Sequence, residues 1–269
     1  GSVDPGLIME SKRLKWIQTS SAGVGPFIKQ GILDKDTVLT NSSGAYGLAI
    51  SEHMIGMLLE IYKKLNIYRD YQHEMKWETA GKVKSVYGAT VAVLGMGDIG
   101  GEFAKRCKAL GAYVIGVRRK NADKPEYVDE MCLSADLDSV LKRADVLAVS
   151  LPGTAETNGM ISKEKIGLMK DGAVILNVGR GSIIDTEALC DALESGKLMG
   201  AGLDVTEPEP LPAGHRLWKL QNAVITPHIS GFYHLENTRE RIVQMFKENL
   251  ERYRKGEPLD NVVDLKAGY

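Results

Sequence analysis

The segment 90–100, TVAVLGMGDIG, limits what this chain can fold into more than any other stretch. Residues 90–94 are a short, continuous apolar run bounded by turn residues, the pattern of a strand buried on both faces. Gly95-Met96-Gly97-Asp98-Ile99-Gly100 follows at once, and a helical pattern opens at Asp98 and runs to about residue 110. A G-x-G-x-x-G run alone arises by chance; between a strand and a helix it has a physical meaning. The first glycine makes the tight turn, the second lets the backbone approach a pyrophosphate, and the third lets helix and strand pack closely. The helix N-terminus then offers N–H groups and a partial positive charge to phosphate. Gly95, Met96, Gly97, Asp98, Ile99 and Gly100 are therefore candidate dinucleotide-binding residues.

Further apolar runs at 113–117, 146–150, 174–177, 199–204 and 224–226 alternate with helical patterns at 136–143, 162–169 and 185–195. Strands alternating with helices imply an α/β fold built on a Rossmann-type, doubly wound parallel sheet. The flanks read differently. Residues 1–45 hold strand candidates at 14–18 and 38–40, and 47–70 reads as one long helix with an apolar stripe. Residues 234–255 read as another helix, with Gly256 as its C-cap. The expected organisation is an NAD(P)-binding domain over 46–232 and a second, smaller α/β domain made of 1–45 and 233–269.

The end of the second strand bears on cofactor choice. An NAD site wants an acid about 20 residues past the glycines, to take the ribose 2′-hydroxyl. Here the strand runs into Arg118-Arg119-Lys120. A guanidinium binds a 2′-phosphate bidentately, where a carboxylate would repel it. Arg118 and Arg119 thus favour NADP; if they form only a solvated basic turn, NAD is bound through hydroxyls instead.

Composition excludes several classes. The 34 basic and 35 acidic side chains give a net charge of −1, with no electrostatic reason to expect a nucleic acid or an anionic membrane as partner. Cys107, Cys132 and Cys190 are odd in number and form no C-x-x-C. A disulfide framework or zinc site is not expected, and a cytoplasmic location fits. No apolar run approaches the ~18 residues of a membrane span, and no signal peptide is evident. The chain begins Gly1-Ser2 rather than Met, which reads as an expression scar or a missing N-terminus. Glycine is in excess, at 29 residues. Gly95, Gly97, Gly100, Gly179, Gly181 and Gly231 fall where backbone is expected to approach cofactor or substrate.

Three segments follow successive strands: Asn177-Val178-Gly179-Arg180-Gly181, then 202–210 (GLDVTEPEP), then Thr226-Pro227-His228-Ile229-Ser230-Gly231. Ligands of open α/β sheets bind at such C-terminal strand ends. An Arg, several carboxylates and a His at one rim suit a 2-oxo acid and its hydroxy product. In this order, with G-x-G-x-x-G upstream, the segments resemble the D-isomer-specific 2-hydroxyacid dehydrogenase family, which includes glyoxylate/hydroxypyruvate reductases. The likeness runs from Leu14 to the C-terminus. It includes 14–24 (LKWIQTSSAGV), like the family's substrate-carboxylate loop, and Asn41-Ser42-Ser43-Gly44 with Glu52-His53, like its segment crossing between domains.

The resemblance implies that Arg180 binds the substrate carboxylate and carbonyl, that His228 is the acid–base group, and that Glu209 pairs with it. Glu207, which also precedes a proline, is the residue most easily mistaken for Glu209. A nearby carboxylate favours the imidazolium form that can give a proton to a developing alkoxide. Ser21, Ala22 and Gly23 would offer backbone N–H groups to the carboxylate. Asp204 would face the nicotinamide amide. Val178, Gly179, His228 and Ser230 would stand beside the cofactor, with Leu151, Pro152 and Thr157 on its adenine side. Trp218, Tyr46 and Tyr233 are candidate pocket walls. His53, His73, His215 and His234 read as structural or exposed. The resemblance also implies a second domain that is flavodoxin-like, lacking its N-terminal part here, and a homodimer paired through the nucleotide-binding domains along the 47–70 helix.

Gly25 stands where an Asp is common in the family, and Gly101 where a larger residue is common; neither belongs to the Arg-Glu-His set. Glu209 argues against the formate-dehydrogenase type, which lacks that acid. A non-catalytic dinucleotide-sensing module of the same fold is the alternative from another class.

Overall fold

The computed structural model describes residues 4–11, 13–28, 32–120 and 124–265. Along the chain run α1 (Pro5–Glu10), β1 (Trp16–Gln18), β2 (Val38–Thr40), α2 (Gly47–Lys63) and α3 (Leu65–His73). Then come β3 (Thr90–Leu94), α4 (Asp98–Ala109), β4 (Tyr113–Arg118), β5 (Glu130–Leu133), α5 (Leu137–Leu141) and β6 (Val146–Val149). The remainder is α6 (Lys163–Leu168), β7 (Ala173–Asn177), α7 (Thr186–Glu194), β8 (Leu198–Leu203), β9 (Ala223–Ile225) and α8 (Glu236–Lys255). These elements form two compact units, Gly1–Leu48 with Phe232–Tyr269, and Ala49–Gly231.

The larger unit is a parallel sheet in the order β5-β4-β3-β6-β7-β8-β9. The order reverses between β3 and β6, the topological switch point at which such sheets bind ligands. Its central strands are apolar throughout because both faces are covered. Ala92, Leu94, Ile115, Val117, Leu147 and Val149 share one core with Leu137, Ile166 and Leu189 of α5, α6 and α7. The alternate residues Val91, Val93 and Val114 are equally buried, as strand geometry requires when the opposite face is covered too. Being parallel, all seven strands end on the same rim, which gathers the loops after β3, β4, β6, β7, β8 and β9.

Two sequence expectations need correction here. The helix expected over 47–70 breaks at Lys64, whose backbone is left-handed (φ 57°). No Gly or Pro signals the break. The returning chain makes it: Lys84 N–H donates to the Tyr62 carbonyl (3.0 Å), Lys63 Nζ to the Lys84 carbonyl (2.8 Å), and Lys64 Nζ to the Ala80 carbonyl. Strand β5 was not expected at all. It is an edge strand, EMCL, only partly buried, so neither an apolar run nor an alternation marks it.

In the smaller unit β1 and β2 pair in parallel, Trp16 opposite Val38 and Gln18 opposite Thr40. Ile8, Ile17, Val24, Phe27, Ile32, Leu39 and Val263 form its core. Helix α8 is pinned to β1 by stacking of Trp16 on Phe246 and Tyr253, with ring centroids 5.8 and 5.3 Å apart. Buried Asn249 adds a hydrogen bond to Gln18 Oε1 (2.9 Å) and exchanges two with the Asp260 backbone. Gly256 caps α8 in the left-handed conformation. Among the described residues no helix is long and apolar enough to cross a membrane, and no cluster of His, Cys, Asp and Glu could hold a metal ion.

Candidate active site

At the switch point, Gly95 turns out of β3 with φ +101°, and α4 begins at Asp98 with Gly97 as its N-cap. A Cβ on Gly100 would lie 1.9 Å from the Gly95 carbonyl oxygen, so only glycine lets the helix start this close to the strand. A Cβ on Gly97 would meet nothing within 4 Å. That face is open, and Gly97 supplies no side-chain cap to the first N–H groups of α4. Open space before an uncapped helix start suits a pyrophosphate, so the residues present fit a dinucleotide. Asp98 and Ile99 lie in the first turn; Met96 is buried, packed over Gly116. Arg118, at the end of β4, donates from Nη2 to the Met96 carbonyl at 2.8 Å, which puts its guanidinium beside the glycine loop. Arg119 pairs with exposed Glu156 at 3.1 Å.

The loop after β6 is self-organised. Thr157 Oγ1 donates to the Pro152 carbonyl (2.7 Å) and accepts from Thr154 N–H (2.8 Å), so this side chain serves the turn. Leu151 packs on Gly95, and its carbonyl oxygen would lie 2.4 Å from a Cβ on Gly179. A Cβ on Gly181 would stand 2.0 Å from the Thr206 carbonyl group. Gly179 and Gly181 thus also make room for the neighbouring loops. Between them, buried Asn177 accepts from Gly179 N–H (3.0 Å) and donates to the Arg180 carbonyl (2.9 Å), holding the turn. Val178 is buried, with its N–H on the Val149 carbonyl. Arg180 is exposed and donates only to the Gly179 carbonyl (2.7 Å); among the described residues it has no carboxylate partner.

His228 is brought together with Glu209. Its Nδ1 lies 2.5 Å from Glu209 Oε1, both side chains partly exposed. Glu207 is not part of the pair; its carbonyl accepts from Thr186. His228 itself has a left-handed backbone (φ 53°), uncommon for a residue with a Cβ. Buried Asp204 sustains that turn. Its Oδ1 accepts from Thr226 Oγ1 (2.6 Å) and Ile229 N–H (2.9 Å), and its Oδ2 from the N–H (3.1 Å) and hydroxyl of Ser230. The His228 N–H donates to the Asp204 carbonyl at 2.8 Å. Asp204 and Ser230, expected at the cofactor, are thus bonded to each other inside the loop. Sequence reasoning gave Asn177 and Thr226 no role and treated His53 as structural or exposed. The polar types of Asn177 and Thr226 at strand ends were the available signal.

In the smaller unit the loop after β1 is tied down through its carbonyls. Ser21 O accepts from Ser42 N–H (3.1 Å), and Ala22 O from Asn41 Nδ2 (3.0 Å). Among the described residues, the N–H groups of Ser21, Ala22 and Gly23 donate to no other protein group. Tyr46 Oη donates to the Ser20 carbonyl (2.5 Å), and Tyr233 Oη to Ser20 Oγ (2.8 Å). Burial, and then Tyr233 alongside, push the Tyr46 phenol up to about 12. Trp218 is half exposed in the larger unit, with its indole N–H on the Pro212 carbonyl (3.0 Å).

Comparison with known proteins shows the family. Residues 55–230 match the model of the D-isomer specific 2-hydroxyacid dehydrogenase NAD binding domain. A hydroxypyruvate reductase of Blautia hydrogenotrophica is 37% identical over 228 residues, covering 81% of this chain and 69% of its own. A family member of known structure from Aeromonas salmonicida superposes with TM-score 0.87 at 35% identity, covering 97% of this chain and 82% of that one. The NADPH-dependent glyoxylate/hydroxypyruvate reductase of Sinorhizobium meliloti, solved with NADP and sulfate, gives TM-score 0.87 at 29% identity over 99% of this chain and 84% of that one. The chain belongs to the D-isomer-specific 2-hydroxyacid dehydrogenase family. It is accordingly an NAD(P)-dependent oxidoreductase.

Proposed function

We propose that this protein reduces a small 2-oxo acid to its D-2-hydroxy acid with NADPH, using Arg180, His228 and Glu209. The observation that carries this reading is the His228–Glu209 pair, on a rim that also holds an open glycine loop and Arg180, which has no carboxylate partner among the described residues. The bound cofactor supplies the hydride for the carbonyl carbon. Glu209 accepts a hydrogen bond from the Nδ1–H of His228 and leaves Nε2 as the atom that gives a proton to the developing alkoxide. The same carboxylate holds the charge of the ring while it carries both protons. Arg180 orients the substrate carboxylate and offsets negative charge growing on the carbonyl oxygen.

Arg118 beside the glycine loop supports NADP over NAD, and the NADP bound to the Sinorhizobium relative is in keeping with it. Ser21–Gly23, with carbonyls engaged and N–H groups that donate to no protein group among the described residues, is the proposed carboxylate-recognition loop of its own unit.

A homodimer is proposed as well, on a different surface from the 47–70 stripe. Met54, Met57, Leu58, Ile61 and Tyr62 of that stripe are buried within the protomer. By contrast α3 buries no residue, and Met75 and Trp77 are almost wholly exposed. The surface hollow beside them, lined by Tyr68, Tyr71, Met75 and Trp77, measures about 670 Å³, and exposed apolar surface of this kind marks an interface. The function is tested by following NADPH consumption with glyoxylate, hydroxypyruvate, pyruvate and larger 2-oxo acids. Turnover with at least one is expected; tight NADPH binding without turnover on any would favour a dinucleotide-sensing module.

A further inference from the structure

Helix α2 lies along β8 with a register that can be read from its contacts. A Cβ on Gly200 would meet Ile61 Cγ2 at 2.6 Å, and one on Gly202 would meet the Met57 Cβ at 3.0 Å. Four helix residues rise about 6 Å, and two strand residues about 6.6 Å. Each step of four back along α2 therefore matches a step of two forward along β8. One step further brings His53 to the level of Asp204, just past the strand end. There His53 Nε2 lies 2.9 Å from Thr226 Oγ1 and 4.0 Å from Asp204 Oδ1.

The proton arrangement follows by counting. A carboxylate only accepts, with about four lone-pair sites, and a threonine hydroxyl has one hydrogen. Thr226 gives that hydrogen to Asp204 Oδ1 at 2.6 Å. Its oxygen can then only accept from His53, so Nε2 is the donor. The four donors on Asp204, from Thr226, Ile229 and Ser230, fill its lone pairs. Every one of them belongs to the 226–230 segment that carries His228 in its left-handed turn.

We infer that His53 and Thr226 are positioning residues: the chain His53 Nε2–H to Thr226 Oγ1–H to Asp204 Oδ1 locks the turn that presents His228. This rests on His228 being the acid–base group. Neither residue touches the reacting atoms; each acts through Asp204. A misplacement of about 1 Å at a catalytic group can cost on the order of 100-fold in rate, so loss of the chain should fall on kcat and leave cofactor binding alone.

The test uses the full chain with Thr226→Val, Thr226→Ser, His53→Ala and His53→Gln. The readouts are kcat and KM for the 2-oxo acid, the Kd of NADPH by fluorescence, and the thermal midpoint. Thr226→Val should lower kcat at least tenfold, with NADPH Kd within twofold. Thr226→Ser keeps the hydroxyl and should recover kcat to within about threefold. His53→Ala should lower kcat severalfold. His53→Gln places an amide N–H near the Nε2 position and should restore it. Folded Thr226→Val with wild-type kcat would overturn the inference, as would a kcat loss that Thr226→Ser and His53→Gln fail to rescue. A His228→Ala enzyme with full turnover would instead overturn the reading beneath it.

Discussion

At the residue scale, the site is a set of side chains whose roles are set by what else they must satisfy. Arg118, beside the glycine loop, is the one proposed to discriminate cofactors. Arg118→Ala is expected to raise the KM of NADPH more than tenfold and change that of NADH less than twofold, because only the 2′-phosphate loses a charged partner; steady-state kinetics with both cofactors check it. Part of the candidate site was legible: the glycine loop from its place between a strand and a helix, and the expected roles of Arg180, Glu209 and His228 from the resemblance that their contiguous motifs carry. His53 was not legible, because its place depends on how α2 registers on β8, a contact made about 140 residues apart in sequence. Nor does the sequence contain anything that says Asp204 accepts four hydrogen bonds from 226–230.

At the element scale, close approach decides which substitutions the scaffold tolerates. Gly100→Ala drives a methyl into the Gly95 carbonyl. It is expected to cost about 1–3 kcal/mol or more as overpacking, lowering the thermal midpoint by several degrees and weakening NADPH binding together, measured by melting with and without cofactor. The edge strand β5 offers a pH-dependent case. Two hydrogen bonds of 2.8 Å from Arg143 are the main reason that the Glu130 carboxyl is held down at about 2. Its folded value lies below the usual carboxylate value near 4.3. The stabilisation is therefore present above that value and lost as pH falls through about 2. The pair is partly exposed, so the effect is about 1 kcal/mol at most. Glu130→Gln should be slightly less stable than wild type at pH 7, with the difference vanishing near pH 2 in denaturant titrations. The fold was legible where burial writes continuous apolar runs, β3, β4, β6, β7 and β8. It was illegible at β5, an edge, and at Lys64, where tertiary hydrogen bonds rather than local residues end the helix.

At the scale of the whole molecule, the chain is a dehydrogenase scaffold with an exposed apolar surface at Met75 and Trp77. Trp77→Glu places a charge on that surface without touching the rim loops. It is expected to shift a dimer to a monomer in sedimentation or light scattering, with the thermal midpoint of the monomer little changed. The central claim is that His228, paired with Glu209, moves the proton that completes hydride transfer to a 2-oxo acid. Its most direct test is kcat for His228→Ala beside the Kd of NADPH for the same variant. The kcat is expected to fall by about 100-fold or more, with NADPH Kd within twofold of wild type. Turnover within a few-fold of wild type, in a variant that still binds NADPH, would contradict it.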